Sequence, residues 1–377
     1  MVDRDFQQMP KKMKRIKCDV LVVGAGPAGI SAALFLSEKD LKIVLVEKKA
    51  NIDEPLRCAE FIPLNMAHLF QEKILSDYHA VTAMKTYVAS KEIASTKIKG
   101  AVMDRPLLLK KILGTFRQNG GTFLSACSFV LSREAALLRS RETVSLLFDK
   151  KRKCYREIES KIIVCCEGPF SKIKKLLQIP QSDVMAALSQ NIAQKASDAE
   201  STHVFFERYI KAGYGWLFPK KDSINIGIGT ESKDILGLFD RFKKDLIRSG
   251  LIDGFAPIRA TATGLLPVSA MMAEPVRGKI VFAGDAANLC NQITGAGIYN
   301  AVLSAKICAC AISKAIRKDK QSYLGEIKKE YDATFSKSIQ RAYEKRRLFS
   351  ARFDAQKEQD IEDLIRQCWI SFKQYYL

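Results

Sequence analysis

The chain is poor in metal-ligand and export signals. Its three histidines, His68, His79 and His203, are too few and too scattered for a metal site. Ten cysteines include no CxxC pair, so they form neither a zinc pattern nor a compact disulfide framework, and most are expected as reduced thiols. No apolar run reaches the roughly 18 residues that a spanning helix needs. The opening MVDRDFQQMPKKMKRIK lacks the apolar middle of a signal peptide, so a cytoplasmic location is the expectation. Internal repeats are absent, and residues 1–17 read as a basic flexible leader.

What is present fits a packed globular protein of 377 residues with 47% hydrophobic content, one large domain or two interlocked ones. The net charge of +20 creates a field that attracts anionic surfaces. Its basic residues fall in separated clusters, such as Lys172-Ile-Lys174-Lys175 and Lys345-Arg346-Arg347, with no nucleic-acid motif beside them, which argues against nucleic acid as a partner. Anionic lipid headgroups, a diphosphate substrate or an acidic electron-donor protein suit the charge as well.

One stretch has the form of a dinucleotide fingerprint. Cys18-Asp-Val-Leu-Val-Val23 is a continuous apolar run suited to a strand buried on both faces, and Gly24-Ala-Gly26-Pro27-Ala28-Gly29 follows at once. A helical pattern comes next, then a second buried strand ending in Glu47-Lys48. Gly24 allows the tight turn, Gly26 lets the backbone approach a pyrophosphate and Gly29 permits close helix packing, while Glu47 is placed for the adenosine ribose.

A second segment resembles the second FAD motif of the para-hydroxybenzoate hydroxylase-like flavoproteins: Gly284-Asp285-Ala-Ala after a strand, then Thr294-Gly295-Ala-Gly297-Ile298 opening a helix. The resemblance implies FAD as cofactor, Asp285 on its ribityl chain and the helix N-terminus near Gly297 at the flavin pyrimidine edge. Val102-Met-Asp-Arg105 resembles that family's segment with an arginine near the cofactor, and the next strand, through Phe129, is implied to lie by the adenine. Ile162 to Lys174 resembles its third motif, with Glu167 and Lys174 in place of Asp and Arg. These exchanges keep charge sign but alter reach.

Within that group, three segments resemble the geranylgeranyl reductase family, flavoenzymes that saturate carbon–carbon double bonds of prenyl chains. They are Leu56-Arg57-Cys58-Ala59-Glu60, Tyr214-Gly-Trp216-Leu-Phe218-Pro219, and Gly284-Asp-Ala-Ala with Thr294-Gly-Ala-Gly-Ile. The resemblance implies a prenyl or lipid substrate lined by Phe61, Tyr214, Trp216, Phe218 and Pro219. It also implies catalytic roles for Cys58, Tyr214 and Trp216, with Cys58 and Ala59 beside the flavin. The sequence departs from the family pattern at Phe61, Lys211, Asn288 and Gln292.

The expected class is α/β, α+β overall: a Rossmann-like FAD-binding domain from 18–75, 100–180 and 277–315, a mixed antiparallel substrate domain from 76–99 and 186–276, and a helical region over 316–377 that covers the substrate domain or lies against a membrane. In a strand Tyr214, Trp216 and Phe218 share one face, and Gly215 is expected to leave the other face open. With no second GxGxxG for nicotinamide, electrons are expected from a transient donor, NAD(P)H or an acidic ferredoxin or flavodoxin. The leading reading is a prenyl reductase, cytoplasmic or peripheral on the inner face of a membrane. A flavin monooxygenase or oxidase acting on an aromatic or other hydrophobic molecule is the alternative, and a catalytically silent flavoprotein with a binding role is a third.

Overall fold

The apolar run ahead of the glycine turn forms β1 (Arg15–Val23), and its last four residues are buried. It lies parallel between β2 (Ile43–Val46) and β9 (Cys154–Cys165). Further parallel strands, β6 (Thr122–Leu124) beyond β2 and β16 (Ile280–Phe282) beyond β9, widen the sheet. Continuous apolar strands suit this position because helices cover a parallel sheet. Three antiparallel strands complete it: β7 (Cys127–Ser132) and β8 (Thr143–Asp149) as an arm on β9, and β15 (Val276–Arg277) at the β16 edge. This is a computed structural model, described over residues 15–52, 58–70, 74–132, 143–353 and 360–377. Most of the basic leader and the Leu56-Arg57 part of the cysteine motif lie outside the described residues.

Helix α1 (Pro27–Ser37) packs against α2 (Arg105–Gln118) and the long α5 (Ile298–Arg317). Asp104 caps α2 by accepting from the Leu107 amide, and Ser171 caps the short α3 (Lys172–Leu176) by accepting from the Lys174 amide.

A second sheet runs in the order β14 (Ile258–Pro267), β10 (Val184–Ile192), β13 (Ile224–Thr230), β12 (Tyr214–Pro219), β11 (Ser201–Phe206), β4 (Tyr78–Val88), β5 (Lys91–Met103), β3 (Phe61–Pro63). All its pairings are antiparallel except β11 with β4. It is therefore assembled from three separated stretches, and β3 joins it from within a stretch that the sequence reading gave to the first domain.

The two faces of this second sheet are covered by different helices. On β13 the isoleucines Ile224, Ile226 and Ile228 pack with Leu217, Phe205 and the amphipathic α4 (Ile235–Arg248). The opposite face carries Tyr214, Trp216 and Phe218, covered by the long α6 (Gly325–Phe353) and by α7 (Ile361–Cys368) with the residues after it. The expected α/β class with a second sheet and a helical C-terminal region is the one observed. One expectation fails: Gly215 does not leave its face open. A Cβ there would lie 2.5 Å from the Phe242 ring of α4, so the glycine is needed because that face is filled.

Candidate active site

Three glycines shape the first turn for three different reasons. Gly24 has φ of +98°, and a Cβ on it would sit 2.3 Å from the Cys166 carbonyl oxygen. At Gly29 the conflict is with the Gly24 oxygen, at 1.7 Å, so these two lock the turn against the helix. Gly26 is different: a Cβ there would meet no protein atom within 4 Å. It is also the N-cap of α1, with no side chain capping the helix and Pro27 opening it. An uncapped N-terminus with open space beside a bare backbone is a cradle for an anionic group.

Glu47 ends β2 next to this turn and is only 9% exposed. Its carboxylate accepts from the Ala25 amide at 2.7 Å and the Lys49 amide at 3.0 Å, tying β2 to the glycine turn. Lys48 is exposed. Phe129, on β7, is buried in the core of the first sheet. The start of β7 abuts Glu47, whose carbonyl accepts from the Cys127 amide.

The second glycine segment meets the first directly. Gly284 (φ +60°) would place a Cβ 2.7 Å from that of Ala28. It opens a 3-10 turn, Gly284–Ala287, that carries Asp285. Burial pushes the Asp285 carboxyl above the usual carboxylate range, against the pull of Arg105 and Lys174. Its side chain takes no hydrogen bond from the described residues. Gly297 N-caps α5 without a side-chain cap, ahead of Ile298, and its α-carbon faces the Asp285 carboxylate. Gly295 needs its positive φ of +65° for the turn before it. Asp285, the open cradle at Gly26 and the two uncapped helix starts fit a dinucleotide.

Cys58, Ala59 and Phe61 link the two sheets. Ala59 and Phe61 pack against the aromatic face, with the Phe61 and Phe218 rings tilted at 6.0 Å. The Cys58 sulfur accepts from the Glu60 amide at 3.2 Å. Burial raises the thiol pKa above its ordinary value, while Arg105 lowers it by charge and hydrogen bonding, so the group is a protonated thiol at neutral pH. Tyr214 donates its hydroxyl to the Thr294 carbonyl, joining β12 to the loop before α5. Pro219 closes β12 opposite Ile224.

Sequence reasoning gave no role to a polar network that holds this junction. Glu60, fully buried and at φ +65°, accepts from Lys220 Nζ at 2.7 Å, from Asn225 Nδ2 at 3.3 Å and from the Arg105 amide at 3.0 Å. Asn225 also donates to the Cys58 carbonyl at 2.9 Å and accepts from the Trp216 indole at 2.9 Å. The indole is seated over Gly227, where a Cβ would lie 2.2 Å from the ring. The available signal was Asn225 itself, a polar residue inside the apolar Ile-Asn-Ile-Gly-Ile-Gly strand. Cys290, to which the sequence analysis gave no role, lies beside the site: its sulfur is 3.4 Å from where a Gly297 side chain would begin, and burial with Asp285 nearby raises its pKa well above the ordinary thiol value. Buried Lys174 reaches Ser182 and Asn288 at 3.3 and 3.5 Å, and burial lowers its pKa.

The fold is that of FAD-dependent oxidoreductases. A flavin-dependent monooxygenase solved with FAD and substrate, PieE, superposes with a TM-score of 0.72 at 14% identity, over 96% of this chain and 70% of that one. The p-nitrophenol 4-monooxygenase of Pseudomonas putida also gives 0.72 at 16% identity, over 96% and 99%. A geranylgeranyl bacteriochlorophyll reductase-like protein from Thermoplasma acidophilum gives 0.81 at 21% identity, over 96% and 93%.

Within that class the resemblance to the geranylgeranyl reductases is borne out by curated relatives. Digeranylgeranylglycerophospholipid reductase of Picrophilus torridus is 26% identical over 87% of this chain and 85% of its own length, and digeranylgeranylglycerophospholipid reductase 2 of Methanococcoides burtonii is 28% identical over 85% and 81%. The Thi4 family model matches residues 1–53, which hold the first glycine turn and β2.

Proposed function

We propose that this protein is an FAD-dependent reductase that saturates carbon–carbon double bonds of a prenyl chain carried on an isoprenoid lipid. The observation that carries the reading is the aromatic face of β12, running from Phe61 and Phe218 through Trp216 to Tyr214, with Cys58 at its side and Tyr214 tied to the loop that precedes Gly297. Gly24, Gly26, Pro27, Ala28 and Gly29 would hold the pyrophosphate and Glu47 the ribose. Asp285 would take the ribityl chain, and Gly295, Gly297 and Ile298 the ring edge. Bound FAD supplies the hydride.

The chain's own residues supply the rest. An isolated alkene is not polarised, so cationic character must develop at its more substituted carbon as a proton arrives at the other. Cys58 holds that proton at Sγ, kept there by burial, and donates it to the substrate. The faces of Tyr214, Trp216 and Phe218 favour the developing positive charge and exclude water. Arg105 and the Glu60–Asn225 network fix the cysteine loop. The basic surface suits a transient acidic donor, a ferredoxin or flavodoxin, or NAD(P)H, and an anionic membrane surface that presents the lipid. Among the described residues no helix is long and apolar enough to cross a membrane.

The test is anaerobic reduction of the enzyme-bound flavin followed by addition of a prenyl lipid. Reoxidation with loss of one double bond per flavin is the expected result. Product that forms only when oxygen is admitted would overturn the reading in favour of a monooxygenase.

A further inference from the structure

One corner of the second sheet shows a group of apolar side chains to solvent. The loop that follows α4 carries Phe255, which is 98% exposed, and Ile247 (37%) and Ile258 (47%) stand at its two feet. Single exposed apolar residues are ordinary, whereas a cluster of them marks a contact surface. The three belong together: a Cβ on Gly254 would sit 3.5 Å from the Ile247 side chain, and only Ala256 and Pro257 separate Phe255 from Ile258. Nor is the loop loose. The Asp253 carboxylate accepts from the Phe255 amide at 2.9 Å, the Asp253 amide donates to Gln194 Oε1 at 2.7 Å, and the Ala193 amide donates to the Pro257 carbonyl at 2.8 Å, while Ile252 is buried in the core that α4 covers. These bonds hold Phe255 outward at the apex of a convex tip.

Charge identifies what the tip meets. Lys195, Lys221, Lys244, Arg248 and Arg259 surround it, all exposed. Lys244 shares a helix face with Ile247 and Arg248. Arg259 donates to Asp222, which brings Lys221 of the turn between β12 and β13 alongside, and Lys195 follows the Gln194 that holds the loop. The carboxylates here are Asp222, Asp245 and Asp253, and each is engaged: by Arg259, by Arg248 and Tyr209, and by the Phe255 amide. A surplus of cations around an apolar apex complements anionic headgroups lying over an apolar layer. A protein partner needs a broad fitted surface of roughly 800 Å², which a projecting tip does not offer.

The corner also adjoins the candidate site. Ile258 pairs with Ile192, Ile192 with Ile224 and Ile224 with Pro219, so the start of β14 lies three strands, about 15 Å, from the end of β12. There Lys220, the neighbour of Lys221, turns inward to Glu60 in the cysteine loop. We propose that this tip docks the protein on an anionic membrane, with Phe255 entering the boundary between headgroups and acyl chains and the surrounding cations meeting lipid phosphates. The proposal rests on the lipid-reductase reading above and names the surface by which the protein reaches a substrate held in a membrane.

Cosedimentation of the FAD-loaded full chain with vesicles, without prenyl substrate, tests this. Vesicles of equal parts phosphatidylglycerol and phosphatidylcholine should bind the protein at least about tenfold more tightly than phosphatidylcholine alone. Phe255→Ser should weaken that binding about tenfold, and Lys221→Gln combined with Lys244→Gln about ten- to thirtyfold. Because these side chains are exposed, the substitutions should leave flavin content and melting temperature unchanged. In Phe255→Trp the added indole should shift its emission to the blue on binding and be quenched by brominated lipid, which attraction through another face would not produce. Equal binding to the neutral vesicles, undiminished binding by Phe255→Ser, or a Phe255→Trp emission that stays that of an indole in water would each overturn the tip. If that happens while a prenyl lipid dispersed in detergent reoxidises the reduced flavin, the docking tip alone falls. If the vesicles bind as expected and no prenyl lipid reoxidises the flavin, the reductase reading falls and the tip stands.

Discussion

The two sheets carry their candidate functions by different means. In the parallel sheet the means is backbone: Gly24, Gly26, Gly29, Gly284 and Gly297 shape turns and helix starts, and few side chains besides Glu47 and Asp285 take part. In the second sheet the means is side chains: Trp216 and Asn225 from adjacent strands, joined to Cys58 and Glu60 of a distant loop. Backbone devices fail by steric conflict at one residue. Side-chain devices fail when a buried partner is removed, and the cost then spreads across segments.

The largest effect is expected where the two sheets meet. Glu60→Ala strips the carboxylate from Lys220, Asn225 and the Arg105 amide and leaves a nearly buried lysine charge unpaired, which should destabilise the fold by about 3–5 kcal/mol in urea unfolding. Next comes Cys58→Ala, expected to retain flavin and slow reoxidation by a prenyl lipid about 10²–10³-fold. The wild-type pH profile should agree. With the thiol raised above its ordinary 9.0, the proton-donating form persists through neutral pH, so the rate stays flat there and falls only as pH climbs past that value. A fall centred below pH 8 would remove Cys58 as the donor.

Smaller effects sharpen the contrast. Gly29→Ala forces a methyl against the Gly24 carbonyl and should cost about 1–3 kcal/mol together with flavin occupancy, measured by thermal melting and the flavin-to-protein absorbance ratio. Trp216→Phe leaves the Asn225 oxygen without its indole donor, a loss of about 1 kcal/mol, with flavin content unaltered. Gly26→Ala is the smallest in stability, within about 0.5 kcal/mol, because its methyl meets no protein atom. If the cradle holds a pyrophosphate, that same variant loses flavin, and the two readouts part company at this position alone.

The first glycine turn, its strand and the helix after it were legible in the sequence because their demands are local. A positive φ, a missing side chain and a buried apolar run are each written at the residue that needs them. The alternation that put Tyr214, Trp216 and Phe218 on one face was equally legible, since side chains in a strand must alternate. What covers each face was not. Gly215 reads the same whether it borders open space or, as here, the ring of Phe242.

The turns, the strand faces and the resemblance to the geranylgeranyl reductase family were written in local stretches of sequence. Only the packed chain buries Glu60 against Lys220, lets Asn225 bridge Cys58 and Trp216, and brings α6 and α7 over the aromatic face. The physical reason is range. Backbone geometry is fixed by near neighbours in the chain, whereas the Glu60–Lys220 pair and the Asn225–Cys58 hydrogen bond join residues 160 and 167 positions apart, which only the packing of the whole chain brings together.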